Sequence, residues 1–158
     1  MARVRTCLWF DGNVDEAAEF YTSLVPDSRI VGTMPYTPTD NSPGAPPEGQ
    51  SLTVDIELAG VPYVLLNGGS SFTQSEAASI EVVVDTQEEI DRLWSAIVDG
   101  GGQPSQCGWC KDRYGVSWQI VPQQLYDLIS GPQAAAVTAE MLGQTKLDIA
   151  RLEAAAAG

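Results

Sequence analysis

With 158 residues, 44% of them hydrophobic, the chain suits one domain or two small modules sharing a core, and it is too apolar to remain disordered. Its formal charge of −13 and pI near 4.1 exclude nucleic acid and anionic membrane surfaces as partners, because both require clustered Lys and Arg. No histidine is present, which removes Ser-His-Asp and Cys-His catalysis, HExxH zinc sites and the facial triad.

Any general base must therefore be a carboxylate, Lys, Tyr or Cys, and any metal would be held by oxygen or thiolate. No apolar run approaches the ~18 residues of a membrane span. Met1 to Arg5 lacks the apolar core of a secretion signal. Three cysteines do not make a disulfide framework, so a reducing cytoplasm is the expected location.

Arg3 to Phe10 is an apolar run of strand length. Asn13 and Glu16 then have the spacing of a capping box, and Val14, Ala17, Phe20, Tyr21 and Leu24 recur at helical spacing as a buried face. Pro26-Asp27 ends that helix, and Ser28 to Tyr36 reads as a strand. Thr37 to Gln50, rich in Pro, Gly and polar residues, is a long loop that reads as a surface excursion or a pocket lid. Leu52 to Leu58 and Val61 to Asn67 form a hairpin across Ala59-Gly60.

The second half repeats the first. Ser79 to Val84 is a strand, Thr86 and Glu89 form a second capping box, and Ile90, Leu93, Trp94, Ile97 and Val98 make an apolar helix face. Placing Asn13 on Thr86 puts Tyr21 on Trp94 and Thr6 on Ser79, all at an offset of 73 residues. Each half thus reads β-α-β-β-β. The last hairpin lies in CGWCKDRYGVSWQIVP, Cys107 to Pro122, where Asp112-Arg113-Tyr114-Gly115 has Asp first and Gly last in a type I turn closed by a left-handed glycine. With a bulge at Gly115, Asp112 pairs with Val116, Trp109 lies opposite Gln119 on one face, and Cys110 opposite Trp118 on the other.

The expected fold class is α+β: two βαβββ modules, residues 1–69 and 70–122, followed by a helical tail, 123–158, in one integrated domain. In the tail, Leu142, Leu147, Ile149 and Leu152 suit either packing on the same domain or covering a partner. Cys107 and Cys110 have the CxxC spacing of redox and zinc motifs, but in a strand residues three apart face opposite sides, against a disulfide.

The phrases LWFDGNVDEAAEFY, LNGG, EIDRLW and CGWCKDRYGVSWQIVP, within two βαβββ modules, resemble the vicinal oxygen chelate superfamily of glyoxalase, bleomycin-resistance and dioxygenase proteins. Within it the chain is similar to the PhnB-like branch, labelled 3-demethylubiquinone-9 3-methyltransferase-like. The resemblance implies a pair of half-barrels forming a groove, with ligand positions on the first and last strands of each module. Those positions fall on Thr6, Asn67, Ser79 and Gln119, which are hydroxyls and amides where relatives typically place His, Glu or Gln. Neutral oxygens alone bind divalent ions weakly, so no tight metal site and no cofactor is expected.

Alternation adds Leu8 and Phe10 to an inward Thr6, leaving Cys7 and Trp9 beneath a helix. It likewise adds Tyr63 and Leu65 to Asn67, and Glu81 to Ser79. Glu81 is the candidate catalytic base or weak-metal ligand, or a charge at the solvated mouth of the sheet. Thr6, Phe10, Tyr63, Asn67, Ser79, Trp109 and Gln119 are the candidate ligand-binding residues. The leading expectation is a small-molecule binding protein taking an uncharged or zwitterionic ligand, with a homodimer as the expected assembly. The alternatives are a metal-assisted lyase, isomerase or dioxygenase, a transferase, or an interaction protein with a vestigial pocket. No glycine-rich strand-to-helix signature for S-adenosylmethionine accompanies the methyltransferase label.

Overall fold

The computed structural model describes residues 1–37 and 49–158, so positions 38–48 of the loop read as a lid lie outside the described residues. The chain is α+β, with two compact units, Met1–Gln74 and Ser75–Gly158.

In the first unit, β1 (Thr6–Phe10), α1 (Val14–Leu24), β2 (Arg29–Pro35), β3 (Ser51–Leu58) and β4 (Val61–Asn67) follow the βαβββ order. The sheet runs β1-β4-β3-β2, with β1 parallel to β4 and the other pairs antiparallel. The Ala59-Gly60 hairpin has positive φ at both central residues, 46° and 83°, as a two-residue turn matched to strand twist requires. Val14, Ala17, Ala18, Tyr21 and Leu24 of α1 are buried, as are Val54, Ile56, Leu58, Leu65, Leu8 and Phe10 of the sheet. The expected capping box on α1 is not formed. Asn13 adopts left-handed backbone, φ 58°, and its side chain makes no cap bond. Asn tolerates that conformation because its short polar side chain suits it locally.

The second unit repeats the order with β5 (Ile80–Val84), α2 (Gln87–Val98), β6 (Gln103–Pro104), β7 (Trp109–Lys111) and β8 (Ser117–Pro122), its sheet running β5-β8-β7-β6. Here the capping box is complete: the Thr86 hydroxyl accepts from the Glu89 N–H at 3.2 Å, and the Glu89 carboxylate accepts from the Thr86 N–H at 3.2 Å. Ile90, Leu93 and Ile97 of α2 pack over a sheet face bearing Ile80, Val84, Cys110, Trp118 and Ile120.

α3 (Gln123–Ile129), α4 (Ala134–Leu142) and α5 (Ile149–Ala157) belong to this second unit. Val137, Leu147 and Leu152 are buried in one cluster with Val121 and Leu125. Gln87 fastens the segment, its amide donating to the Leu147 carbonyl at 3.1 Å and accepting from the Ile149 N–H at 2.9 Å. Leu147 and Leu152 are therefore used within the unit, which removes the tail-based argument for a partner subunit. Leu142 alone of the expected four is strongly exposed.

Gly108 is where the tail meets the hairpin. Its N–H donates to the Thr145 carbonyl at 2.8 Å, the Cys107 N–H donates to Gln144 at 2.9 Å, and Gly108 accepts from the Ile120 N–H at 2.9 Å. A Cβ there would lie 2.7 Å from the Ile120 carbonyl oxygen and 3.0 Å from Leu147, on a φ of +82°. CGWC is thus a docking turn. Cys107 (φ 57°) stands in the turn before β7, not in a strand as expected, so opposite strand faces are not what separates it from Cys110; both cysteines are free. The Cys110 thiol is pushed up to about 12 by burial and by the nearby Asp112 charge, which makes it a poor nucleophile.

Candidate functional site

Each sheet has one face under its helix and one face turned away from it, and strand register assigns every candidate to a face. In the second unit, Glu81 pairs with Gln119 and Trp109 pairs with Gln119, so all three project from the side opposite Ile80, Trp118 and Cys110. Ser79, two residues before Glu81, joins them: the Gln119 amide donates to its hydroxyl at 2.7 Å. This face carries a half-buried indole, an amide, a hydroxyl and an exposed carboxylate side by side.

A residue that sequence reasoning missed completes the set. Tyr126, one helical turn into α3, donates its phenol hydrogen to Glu81 Oε1. That hydrogen bond, then burial and the adjacent charge, hold the Tyr126 hydroxyl at about 12. The only signal was positional, since a helix starting directly after β8 returns its first turn alongside β5. Glu81 thereby gains a proton donor and is not a freely solvated charge.

The turn that aims Trp109 and Gln119 is organised by Asp112, which is 4% exposed. Its Oδ1 accepts from the Tyr114 N–H at 2.8 Å and the Val116 N–H at 3.0 Å, and its Oδ2 accepts from the Trp118 indole at 2.8 Å. The Asp112 N–H donates to Val116 at 3.0 Å, and Gly115 takes φ 85°, the expected turn with its left-handed glycine.

In the first unit the expected parity is inverted. Phe10 pairs with Asn67, Leu8 with Leu65 and Thr6 with Tyr63, so these six share a face, but it is the face beneath α1. Phe10 is 4% exposed, and its ring lies 6.4 Å from that of Tyr21. Asn67, 2% exposed, is a tie inside the unit: it accepts from the Gly12 N–H at 3.0 Å and donates to Gln50 at 3.2 Å and to the Ser51 carbonyl at 3.4 Å. Tyr63 is half-buried, and that burial raises its hydroxyl above the ordinary value. Thr6 is exposed at the strand's start.

The cause is one residue. Helix starts differ by 73 positions, Val14 against Gln87, but strand ends differ by 74, Phe10 against Val84, because Asp11-Gly12-Asn13 is one longer than Asp85-Thr86. Carrying the helix offset back into the strand therefore flips every side chain to the other face.

Cys7 and Trp9 consequently occupy the face away from α1, alongside Val64 and Leu66. The Trp9 indole donates to the Gly69 carbonyl at 2.7 Å and meets Phe72 edge-on at 4.9 Å. A Cβ on Gly68 would lie 2.2 Å from the ring, which explains the glycine after Asn67. Farther along, Arg5 pairs with Asp55 at 2.5 Å and Arg29 with Glu57 at 2.5 Å. A cleft of 430 Å³ opens beside them, lined by Arg3, Arg5, Asp55, Glu57 and Tyr63 among others; of the expected ligand residues only Tyr63 reaches it.

As for a metal, among the described residues no group of three or more His, Cys, Asp or Glu side chains is placed to hold one. Glu81 is a single carboxylate already engaged by Tyr126, and its neighbours Ser79 and Gln119 are neutral. That donor set does not fit a tightly held divalent ion.

Residues 2–121 match the family described as 3-demethylubiquinone-9 3-methyltransferase. Among solved structures, the PhnB protein of Bacillus cereus, provisionally described as a 3-demethylubiquinone-9 3-methyltransferase, is 29% identical, with 77% of this chain and 99% of that chain covered and a TM-score of 0.67. Protein PA1353 from Pseudomonas aeruginosa is 18% identical over 77% and 98%, with a TM-score of 0.61. A glyoxylase/bleomycin resistance protein/dioxygenase domain from Frankia is 14% identical over 77% and 91%, with a TM-score of 0.52. The last two likenesses speak to fold alone. No curated protein matches the chain.

Proposed function

The chain belongs to the 3-demethylubiquinone-9 3-methyltransferase family, a PhnB-like branch of the vicinal oxygen chelate superfamily, and from that premise we propose that it binds an uncharged or zwitterionic small organic molecule on the face shared by Ser79, Glu81, Trp109 and Gln119, without a tight metal site. The observation carrying this reading is the register that sets Trp109 and Glu81 on either side of Gln119 and away from α2. An indole offers a stacking surface, and the Gln119–Ser79 pair and the Tyr126–Glu81 pair offer donors and acceptors that orient a ligand.

The donor set argues for binding over Lewis-acid catalysis, because one carboxylate already bonded to Tyr126, with two neutral groups beside it, does not compensate a dication. Methyl transfer would also need a seat for a methyl donor, and neither strand-to-helix turn, Asp11-Gly12-Asn13 or Asp85-Thr86, carries a glycine-rich signature. Glu81 is the group on this face best placed to accept a proton from a ligand, with Tyr126 donating a hydrogen bond to one of its oxygens and keeping its own proton.

A thermal-shift screen with planar, neutral aromatic ligands tests the reading. At a hundred-fold excess over Kd a ligand stabilises by about 2.7 kcal/mol, which raises Tm by several degrees. Gln119→Ala and Trp109→Ala should abolish that shift while the free proteins melt cooperatively. Retention of a full equivalent of divalent metal through dialysis, or a ligand shift indifferent to both substitutions, would refute it.

A further inference from the structure

Beside Trp109 on the same face lies a cleft of 220 Å³ lined by Glu76, Gln103, Ser105, Trp109, Lys111 and Ser117. That is well above the ~10–15 Å³ a single water needs, so a carboxylate has room there. Ser117 is 1% exposed, and its hydroxyl has no hydrogen-bond partner among the described residues. Buried hydroxyls are nearly always paired, so this one is an available donor in want of an acceptor.

Its cross-strand partner on this face is Lys111. Such partners stand ~4.5–5.5 Å apart at Cβ, close enough for an ammonium and a hydroxyl to address the two oxygens of one carboxylate. Lys111 is at present held by Glu76 at 2.5 Å. The two partners differ in burial: the Lys111 side chain is 31% exposed and that of Glu76 64%. Glu76 reaches in from the segment preceding β5, outside the sheet, and exposed ion pairs contribute little to stability. An incoming carboxylate can replace it at small cost.

We infer that this cleft is a carboxylate-binding subsite in which Lys111 and Ser117 are the donors and the Glu76 side chain is an internal occupant that a ligand's carboxylate displaces. The inference rests on the proposed ligand face and narrows its ligand to a zwitterion, whose planar part lies on Trp109 and whose carboxylate enters beside Lys111.

Titration with benzoate and with its neutral counterpart benzamide, at matched ionic strength and followed by amide and indole NMR signals, tests it. Benzoate should bind more tightly than benzamide and shift Trp109, Lys111 and Ser117. Glu76→Gln should tighten benzoate several-fold and leave benzamide unchanged. Lys111→Met should abolish the preference for benzoate, and Lys111→Arg should keep it. Glu76 is exposed and Lys111 half-buried on the sheet, and unchanged dispersion of the remaining signals verifies that the variants keep the fold. Benzamide binding at Trp109 with no preference for benzoate, or benzoate binding indifferent to Glu76→Gln and Lys111→Met, overturns the subsite and leaves the ligand face standing. If neither compound perturbs Trp109, the ligand face itself falls and the subsite with it.

Discussion

Replacing Asp112 by alanine removes one buried carboxylate that serves three donors, the backbone N–H groups of Tyr114 and Val116 and the indole of Trp118. Hydrogen bonds to a charged acceptor contribute ~1.5–3 kcal/mol each, and a buried donor left unpaired costs ~1–3 kcal/mol. Trp118 is fully buried, so its indole cannot turn to water. The three bonds share one group and are not additive, which puts the loss at about 3–5 kcal/mol, a large part of the ~5–15 kcal/mol typical of a folded domain. Asp112→Asn keeps the Oδ1 acceptor but turns an amide donor toward the indole donor, so it should cost about 1.5–3 kcal/mol. Urea unfolding followed by tryptophan fluorescence and far-UV circular dichroism measures both. An alanine variant within about 1 kcal/mol of the parent would refute the assignment of Asp112 as the organiser of the hairpin.

Three further outcomes follow from the same geometry. Thr86→Ala should destabilise by about 1 kcal/mol through loss of the cap bond, whereas Asn13→Ala loses no such bond and is felt only as left-handed backbone strain, a contrast readable in paired urea titrations. Gly68→Ala should cost about 1–3 kcal/mol by forcing a methyl into the Trp9 ring and should loosen the Trp9–Gly69 bond, visible as a shifted indole signal. In alkaline absorbance titration Tyr126 should lose its proton near 12 instead of its ordinary 10.0, and Glu81→Ala should lower that value. A folded-state value above the unfolded one means the contribution to stability is intact below pH 10 and lost as pH rises through about 12. The absence of any titration that moves in the Glu81 variant would contradict the pair.

What could be read from sequence depended on range. The βαβββ repeat, the second capping box and the Asp112–Gly115 turn are local patterns whose chemistry is self-contained, and the structure forms all three. The facing of Trp109 and Gln119 followed from turn geometry plus alternation, which propagate correctly over a few residues. Phe10 failed because alternation has period two, and a single extra residue in Asp11-Gly12-Asn13 reverses it; Asn67, taken from the resemblance, pairs with Phe10 and shares its buried face. Burial patterning held the corrective signal: Leu8 and Phe10 are the apolar residues that α1 covers, and placing a polar pocket on their side left them no core. Tyr126, the Asp112–Trp118 bond and the docking of Gln144-Thr145 on Cys107-Gly108 arise from contacts that topology creates, and no spacing in the chain announces them.

The four tryptophans report directly on the ligand face. In NMR titrations with a set of planar aromatic compounds, with and without a chelator, the Trp109 indole and the Gln119 side-chain amide should show saturable shifts that chelation leaves unchanged. Shifts that avoid both groups, or binding that disappears when divalent metal is removed, would contradict metal-free binding at that face.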